Sequence, residues 1–269
     1  MTTATQTTGP FSGRPVEEVP LDRAPLVRVL AQVRFEHMAV FKKEGFETPF
    51  VERLLEDYPL LEEGREAQII VGSEGVVQKE APGRIWRLRT IDKHWMITLS
   101  AGSLAIETNL YESRREFIDK FERMCATFVE SIGRSVVSRL GVRYTNQTRE
   151  PGLSFDELVG FLRPDIRGGL SVPRGDATVR HAVNDTLFAI DGQQVQGRWG
   201  ILPENTLFDP GIPAVAFQSW FLDIDCFSEA EIDMTATTLR REAASLSERA
   251  YGLFRWFVTP EFMTHFGAT

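Results

Sequence analysis

The chain has 269 residues, with 30 Lys plus Arg against 38 Asp plus Glu, four His and a formal net charge of -8. Apolar residues make up 42% and charged residues 25%, a globular composition that excludes an intrinsically disordered chain, and no apolar run reaches the length of a membrane span. The acidic balance argues against non-specific nucleic-acid binding, which needs a basic face, and two cysteines are too few for a disulfide scaffold.

Residues 1–20 are rich in Thr, Gly and Pro and lack the apolar stretch of a signal peptide. They read as a flexible tail on a cytoplasmic protein. From Pro25 onward, apolar Val29, Ala31, Val33 and Phe35 alternate with Arg28, Gln32 and Arg34, the period of a half-buried strand. Thr48 is placed to cap a short helix ending at Tyr58-Pro59, with Pro49 at its first position and Phe50, Val51, Leu54 and Leu55 as its stripe. Strands are expected over residues 68–71, 76–79, 84–91, 95–100 and 103–110. Gly75, Pro82-Gly83, Asp92-Lys93 and Ala101-Gly102 make short connections between them, so the strands form an antiparallel meander. Ser113 and Glu116 then have capping-box spacing ahead of a helical stripe of Phe117, Phe121, Met124, Cys125, Phe128, Val129 and Ile132, and Gly133 follows at the C-terminal cap position.

The second half repeats this order. Val142-Arg143-Tyr144, in a strand over 138–146, matches Val33-Arg34-Phe35, and Leu222-Asp223-Ile224-Asp225 matches Leu104-Ala105-Ile106-Glu107. Between and after them come a short helix over 154–163 and strands over 177–190, 194–201 and 215–227. A long helix with the stripe Leu239, Ala243, Leu246, Ala250, Leu253, Phe254 and Phe257 completes the half. The expected fold is α+β: a tandem duplication of a strand, helix, antiparallel meander and helix, with a curved antiparallel sheet backed by two long helices. The repeats are placed at 21–133 and 134–269 and are expected to pack as one unit.

Four segments resemble a sporadically distributed family of uncharacterised bacterial proteins. They are residues 25–35, residues 111–117 after Glu107-Thr108-Asn109, the run Arg139-Leu140-Gly141-Val142-Arg143-Tyr144-Thr145-Asn146, and Leu222-Asp223-Ile224-Asp225. The resemblance extends over most of the chain after residue 24. The family has no established activity, and its patchy distribution is similar to that of mobile, defence-associated or toxin–antitoxin genes.

Strand alternation locates the candidate site. Arg34, Arg143, Glu107, Asp223 and Asp225 fall opposite the apolar positions of their strands, so a sheet backed by helices carries them on its other face. Such a face serves as a recognition groove for a peptide or protein, or as cross-strand ion pairs worth about 0.2–1 kcal/mol each, the commoner use. Trp86 with Arg87 and Arg89 is either core or an exposed platform of the kind that binds nucleic acid, against which the acidic excess argues. Phe208, in the proline-rich loop 203–213, is a partner anchor if exposed and otherwise part of a rigid connection. Cys125 and Cys226 fall on apolar stripes, the histidines are in no ligand spacing, and no phosphate-cradling or nucleophile motif is present. No catalytic residue, cofactor or metal is expected.

The expected function is a non-enzymatic cytoplasmic protein-binding module, an antitoxin-like, immunity or defence-accessory component. Its partner would be another protein encoded nearby, or a second copy of the chain, with no membrane or nucleic acid involved. One alternative is a small-ligand receptor or enzyme using Arg34, Arg143, Glu107 and Asp225 in a cleft between the repeats. The other is a nucleic-acid-binding regulator.

Overall fold

The computed structural model describes residues 9–11, 16–72, 75–173 and 175–268, the side chains of 66–72 and 75–82 excepted. In chain order the elements are β1 (Leu26–Phe35), a 3-10 turn at Ala39–Lys42, α1 (Thr48–Leu54), β2 (Leu60–Gly72), β3 (Gly75–Arg89), β4 (Trp95–Ser100), β5 (Ser103–Thr108) and α2 (Arg114–Ser131). There follow β6 (Val136–Gln147), α3 (Phe155–Gly160), two further 3-10 turns at Pro164–Ile166 and Gly168–Ser171, β7 (Ala182–Ile190), β8 (Gln193–Leu202), β9 (Ser219–Ser228), β10 (Ile232–Asp233), α4 (Ala236–Phe257) and α5 (Pro260–His265). The strands form an open antiparallel sheet in the order β2-β3-β4-β5-β1-β6-β9-β8-β7, with β10 pairing on β6. The fold is α+β. No helix among the described residues is long and apolar enough to cross a membrane.

The chain divides into two compact units, one of Leu30–Gly141 with Ser228–Ala244, the other of Met1–Val29, Val142–Phe227 and Ser245–Thr269. In the first, the alternation of β1 buries Ala31, Val33 and Phe35. Phe35 meets Phe128 of α2 at 5.1 Å between ring centroids, and Trp95 of β4 stacks on Phe117 at 5.9 Å. The helix starts where its capping residues place it: the Ser113 hydroxyl accepts the Glu116 backbone N–H at 3.1 Å. It ends before Gly133, whose φ of 124° suits a residue without a side chain.

Two local expectations for this unit are corrected. Thr48 lies inside α1 rather than capping it: the N-cap is Glu47, with no side-chain capping bond. The strands expected at 76–79 and 84–91 are one strand, β3, paired with β2 from Leu60↔Arg89 to Gly72↔Gly75. The register shifts between Arg65 and Ala67, so residues 81–83 fall where the ladder is interrupted. Pro82, which has no N–H to donate, is tolerated there, and the Pro-Gly pair marks a bulge instead of a turn.

In the second unit, α3 opens with a complete capping box between Ser154 and Glu157. The hydroxyls of Tyr144 on β6 and Ser247 on α4 meet at 2.6 Å, and Trp199 of β8 packs edge-on to Phe257 at 4.7 Å. Strands β7 and β9 begin at Ala182 and Ser219 rather than at 177 and 215, and the ladder of β7 on β8 starts at Ala182↔Ile201. Neither α5 nor β10 was legible in the apolar pattern, both being shorter than two turns or four residues. Of the expected tail, residues 1–8 and 12–15 lie outside the described residues. Phe11 packs edge-on to Phe188 at 5.2 Å, and the Val19 N–H donates to the Tyr251 hydroxyl at 2.7 Å.

Candidate functional site

The densest cluster of buried charge lies in the second unit and is built from neighbouring strands. Arg143 of β6 follows buried Val142, Asp223 of β9 lies between Leu222 and Ile224, and Arg198 of β8 precedes Trp199, so period-2 alternation brings all three to one face. Asp223 is 2% exposed. Arg143 grips it with two bonds, Nε to Oδ1 at 2.7 Å and Nη2 to Oδ2 at 3.1 Å. Arg198 Nε donates to Oδ2 at 3.0 Å, its Nη2 reaches the same oxygen at 2.5 Å, and the Thr145 hydroxyl donates to Oδ1 at 2.9 Å.

A second carboxylate arrives from the irregular segment between β8 and β9. Asp209 is buried and accepts from Arg28 at 3.2 Å and from Arg143 Nη2 at 2.8 Å. Arg143 therefore bridges both aspartates. The segment folds on itself: Asn205 N–H donates to Val215 O at 2.7 Å, and Gly211 N–H donates to Asp209 Oδ1 at 2.8 Å. Phe208 rests on Phe221 of β9 at 5.2 Å, Ile212 is buried, and Leu207 stands out at 60% exposure.

Burial alone would raise the Asp223 carboxyl, but the Arg143 and Arg198 guanidiniums together outweigh it and hold the group below the usual carboxylate range. Burial works against the Arg143 charge as well, and Asp223, Asp209 and Asp225 overcome it, so that Arg143 is more firmly protonated than a free arginine. Both groups carry fixed charge at neutral pH. An acid–base catalyst needs a pKa near the working pH, and Asp223 and Arg143 are both shifted away from it. Burial also raises the thiols of Cys125 and Cys226, the opposite of what a nucleophile requires. Among the described residues, no group of three or more His, Cys, Asp or Glu is placed to hold a metal ion.

The other candidate residues are dispersed. Arg34 and Glu107 belong to the first unit, where Arg34 is exposed and donates to Gln32 at 3.3 Å. Arg87 and Arg89 pair with Glu62 at 3.1 and 3.5 Å, and Trp86 lies in the core at 3% exposure beneath Phe46. Asp225 lies on the same strand as Asp223 and acts on Arg143 electrostatically. Arg28, Arg198, Asp209 and Thr145 were not singled out from the sequence. Arg28 shares the alternation that marked Arg34, and Asp209-Pro210-Gly211 is a turn signal, but the meeting of these residues depends on the order of the strands. No protein-family model matches the chain, and no curated protein is significantly similar to it.

Proposed function

We propose that the chain is a non-enzymatic protein-binding module whose recognition surface is the charged sheet face of the Val142–Phe227 unit, contacted through the segment between β8 and β9. The observation that carries this reading is Leu207. A large apolar side chain stands exposed on a loop that is seated on a rigid sheet through Asp209 and Phe208. Loops on rigid scaffolds commonly carry binding function, and the arginines beneath this one are of the residue type enriched at binding hot spots. The locked charges of Arg143 and Asp223 suit recognition better than proton transfer. Trp86, being core, is left out of this surface.

The resemblance to a sporadically distributed bacterial family supports an antitoxin-like, immunity or defence-accessory role in the cytoplasm. We also infer an internal duplication. Its support is the sheet order, which reads outward from the centre as β1-β5-β4-β3-β2 on one side and β6-β9-β8-β7 on the other, each run beginning with the strand that precedes a short helix.

The test is a tagged pull-down from the native host at moderate salt, with bound protein and nucleic acid both analysed. Wild type is compared with Leu207→Asp and Phe208→Ala, with Arg34→Glu in the first unit as the control. A stoichiometric protein captured by wild type and lost with Leu207→Asp is the expected result. A solitary protein, or a partner retained by every variant, refutes the reading. Salt-sensitive capture of nucleic acid alone moves the assignment to a nucleic-acid-binding regulator.

A further inference from the structure

We infer that Asp209 is a placeholder: with its own carboxylate the loop fills a guanidinium site that a carboxylate side chain of the partner protein takes over on association. The inference rests on the reading of this face as a recognition surface, and it names the chemistry that the surface selects.

The two aspartates of the network are not equivalent. Asp223 projects from β9, a strand hydrogen-bonded on both sides by β6 and β8, and its oxygens accept from Arg143, Arg198 and Thr145. Asp209 sits on a segment without regular structure. The backbone hydrogen bonds described above join that segment to itself, while side chains hold it on the sheet. Among these are the Asp209 carboxylate on Arg28 and Arg143, Phe208 on Phe221, the buried Ile212, and Arg149 donating to Pro213 O at 3.4 Å. One carboxylate is thus part of the sheet, and the other is carried by a lid.

Gly211 lies directly against the contact that seats the loop. A Cβ there would stand 2.8 Å from Arg28 Nη1 and 3.3 Å from Asp209 Oδ1, inside the contact that seats the loop. A side chain at this position crowds the contact and requires the end of the flexible Arg28 side chain to shift.

Exchange of one carboxylate for another suits this site. Arg28 and Arg143 are largely buried, at 19% and 20% side-chain exposure, and Asp223 still holds Arg143 when Asp209 leaves, so the site keeps its guanidiniums in place for a second carboxylate. A partner carboxylate that arrives as Asp209 leaves keeps the local charge unchanged, with Asp223 and Asp225 still opposing the three arginines. The leaving Asp209 gains water. The net charge of -8 repels an acidic partner at long range, but at physiological salt that repulsion is screened beyond about 8 Å, and the exchange requires one side chain at contact distance.

The test uses the full chain, a fluorescein-labelled hexaglutamate peptide read by anisotropy at physiological salt, and hydrogen exchange over residues 204–216. Asp209→Asn keeps the shape of the side chain and removes its charge. It should speed exchange in the loop at least tenfold, leave β6 and β9 protected, and bind the peptide at least tenfold tighter than wild type. A hexaglutamine peptide should not compete, and adding Arg28→Gln should abolish the gain. Gly211→Ala keeps every charge and crowds the same contact, so it should show a smaller gain of a few fold. It also provides the answer if Asp209→Asn does not fold. Equal binding by wild type and both loop variants, a gain that survives Arg28→Gln, or an unchanged loop in Asp209→Asn overturns the inference. A partner lost with Leu207→Asp, combined with no glutamate gain in Asp209→Asn, preserves the module reading and removes the placeholder. A solitary protein in the pull-down removes the reading itself.

Discussion

Replacing Asp223 by Asn tests whether the charged network holds the Val142–Phe227 unit together. Asparagine fits the same space, but it turns one acceptor oxygen into an NH2 group facing guanidiniums, where the carboxylate had accepted from Arg143, Arg198 and Thr145. Removing one partner of a buried ion pair costs about 3–5 kcal/mol. Arg143 keeps Asp209 at 2.8 Å and Arg198 is 36% exposed and reaches water, which places the cost near the lower end, about 3 kcal/mol. For a unit of this size that is a fall in Tm of roughly 6–12 °C, measurable by circular dichroism at neutral pH. The pH dependence has a definite sign. The folded-state pKa of Asp223 lies below its unfolded value of about 3.9, so the contribution is fully present above roughly pH 5 and is lost as the pH falls through the folded value. The gap between wild type and Asp223→Asn should be constant from neutral pH to roughly pH 5 and narrow below pH 4. A variant that melts within about 2 °C of wild type at neutral pH, or a gap that persists in acid, refutes the assignment of this carboxylate as the centre of the network.

Three further outcomes are expected. Ser113→Ala removes the acceptor for the Glu116 N–H and should cost about 1 kcal/mol in urea titrations; no change means that packing alone sets the start of α2. Cys125 and Cys226 are buried with raised thiol pKa values. Neither should react with a thiol reagent at mildly alkaline pH until the protein unfolds, and rapid labelling of the native protein contradicts their core placement. At Gly200 a Cβ would meet the Ala182 carbonyl oxygen at 1.9 Å with φ at 150°, whereas at Gly197 the nearest contact is 3.6 Å. Gly200→Ala should therefore abolish soluble folded protein while Gly197→Ala expresses normally, and similar yields for the two remove the steric argument.

Local elements were legible in the residue pattern wherever one period dominated. The Ser113–Glu116 spacing and the stripe through Phe128 specify α2 because a helix end needs partners for its free N–H groups and an apolar face to bury. Alternation in the strands likewise put Arg143 and Asp223 on the polar side of their apolar neighbours. Composition-based turn signals failed at Pro82-Gly83, because the same residues serve a bulge when the partner strand shifts register. Tertiary structure alone decided which charges meet. Arg143 and Asp223 are 80 residues apart, and Arg28 and Asp209 are 181 apart; only the strand order β1-β6-β9-β8 brings them together. Asp209 had no period to reveal it, since an irregular loop is placed by what it lands on, and this one lands on the arginines that the sheet has already assembled.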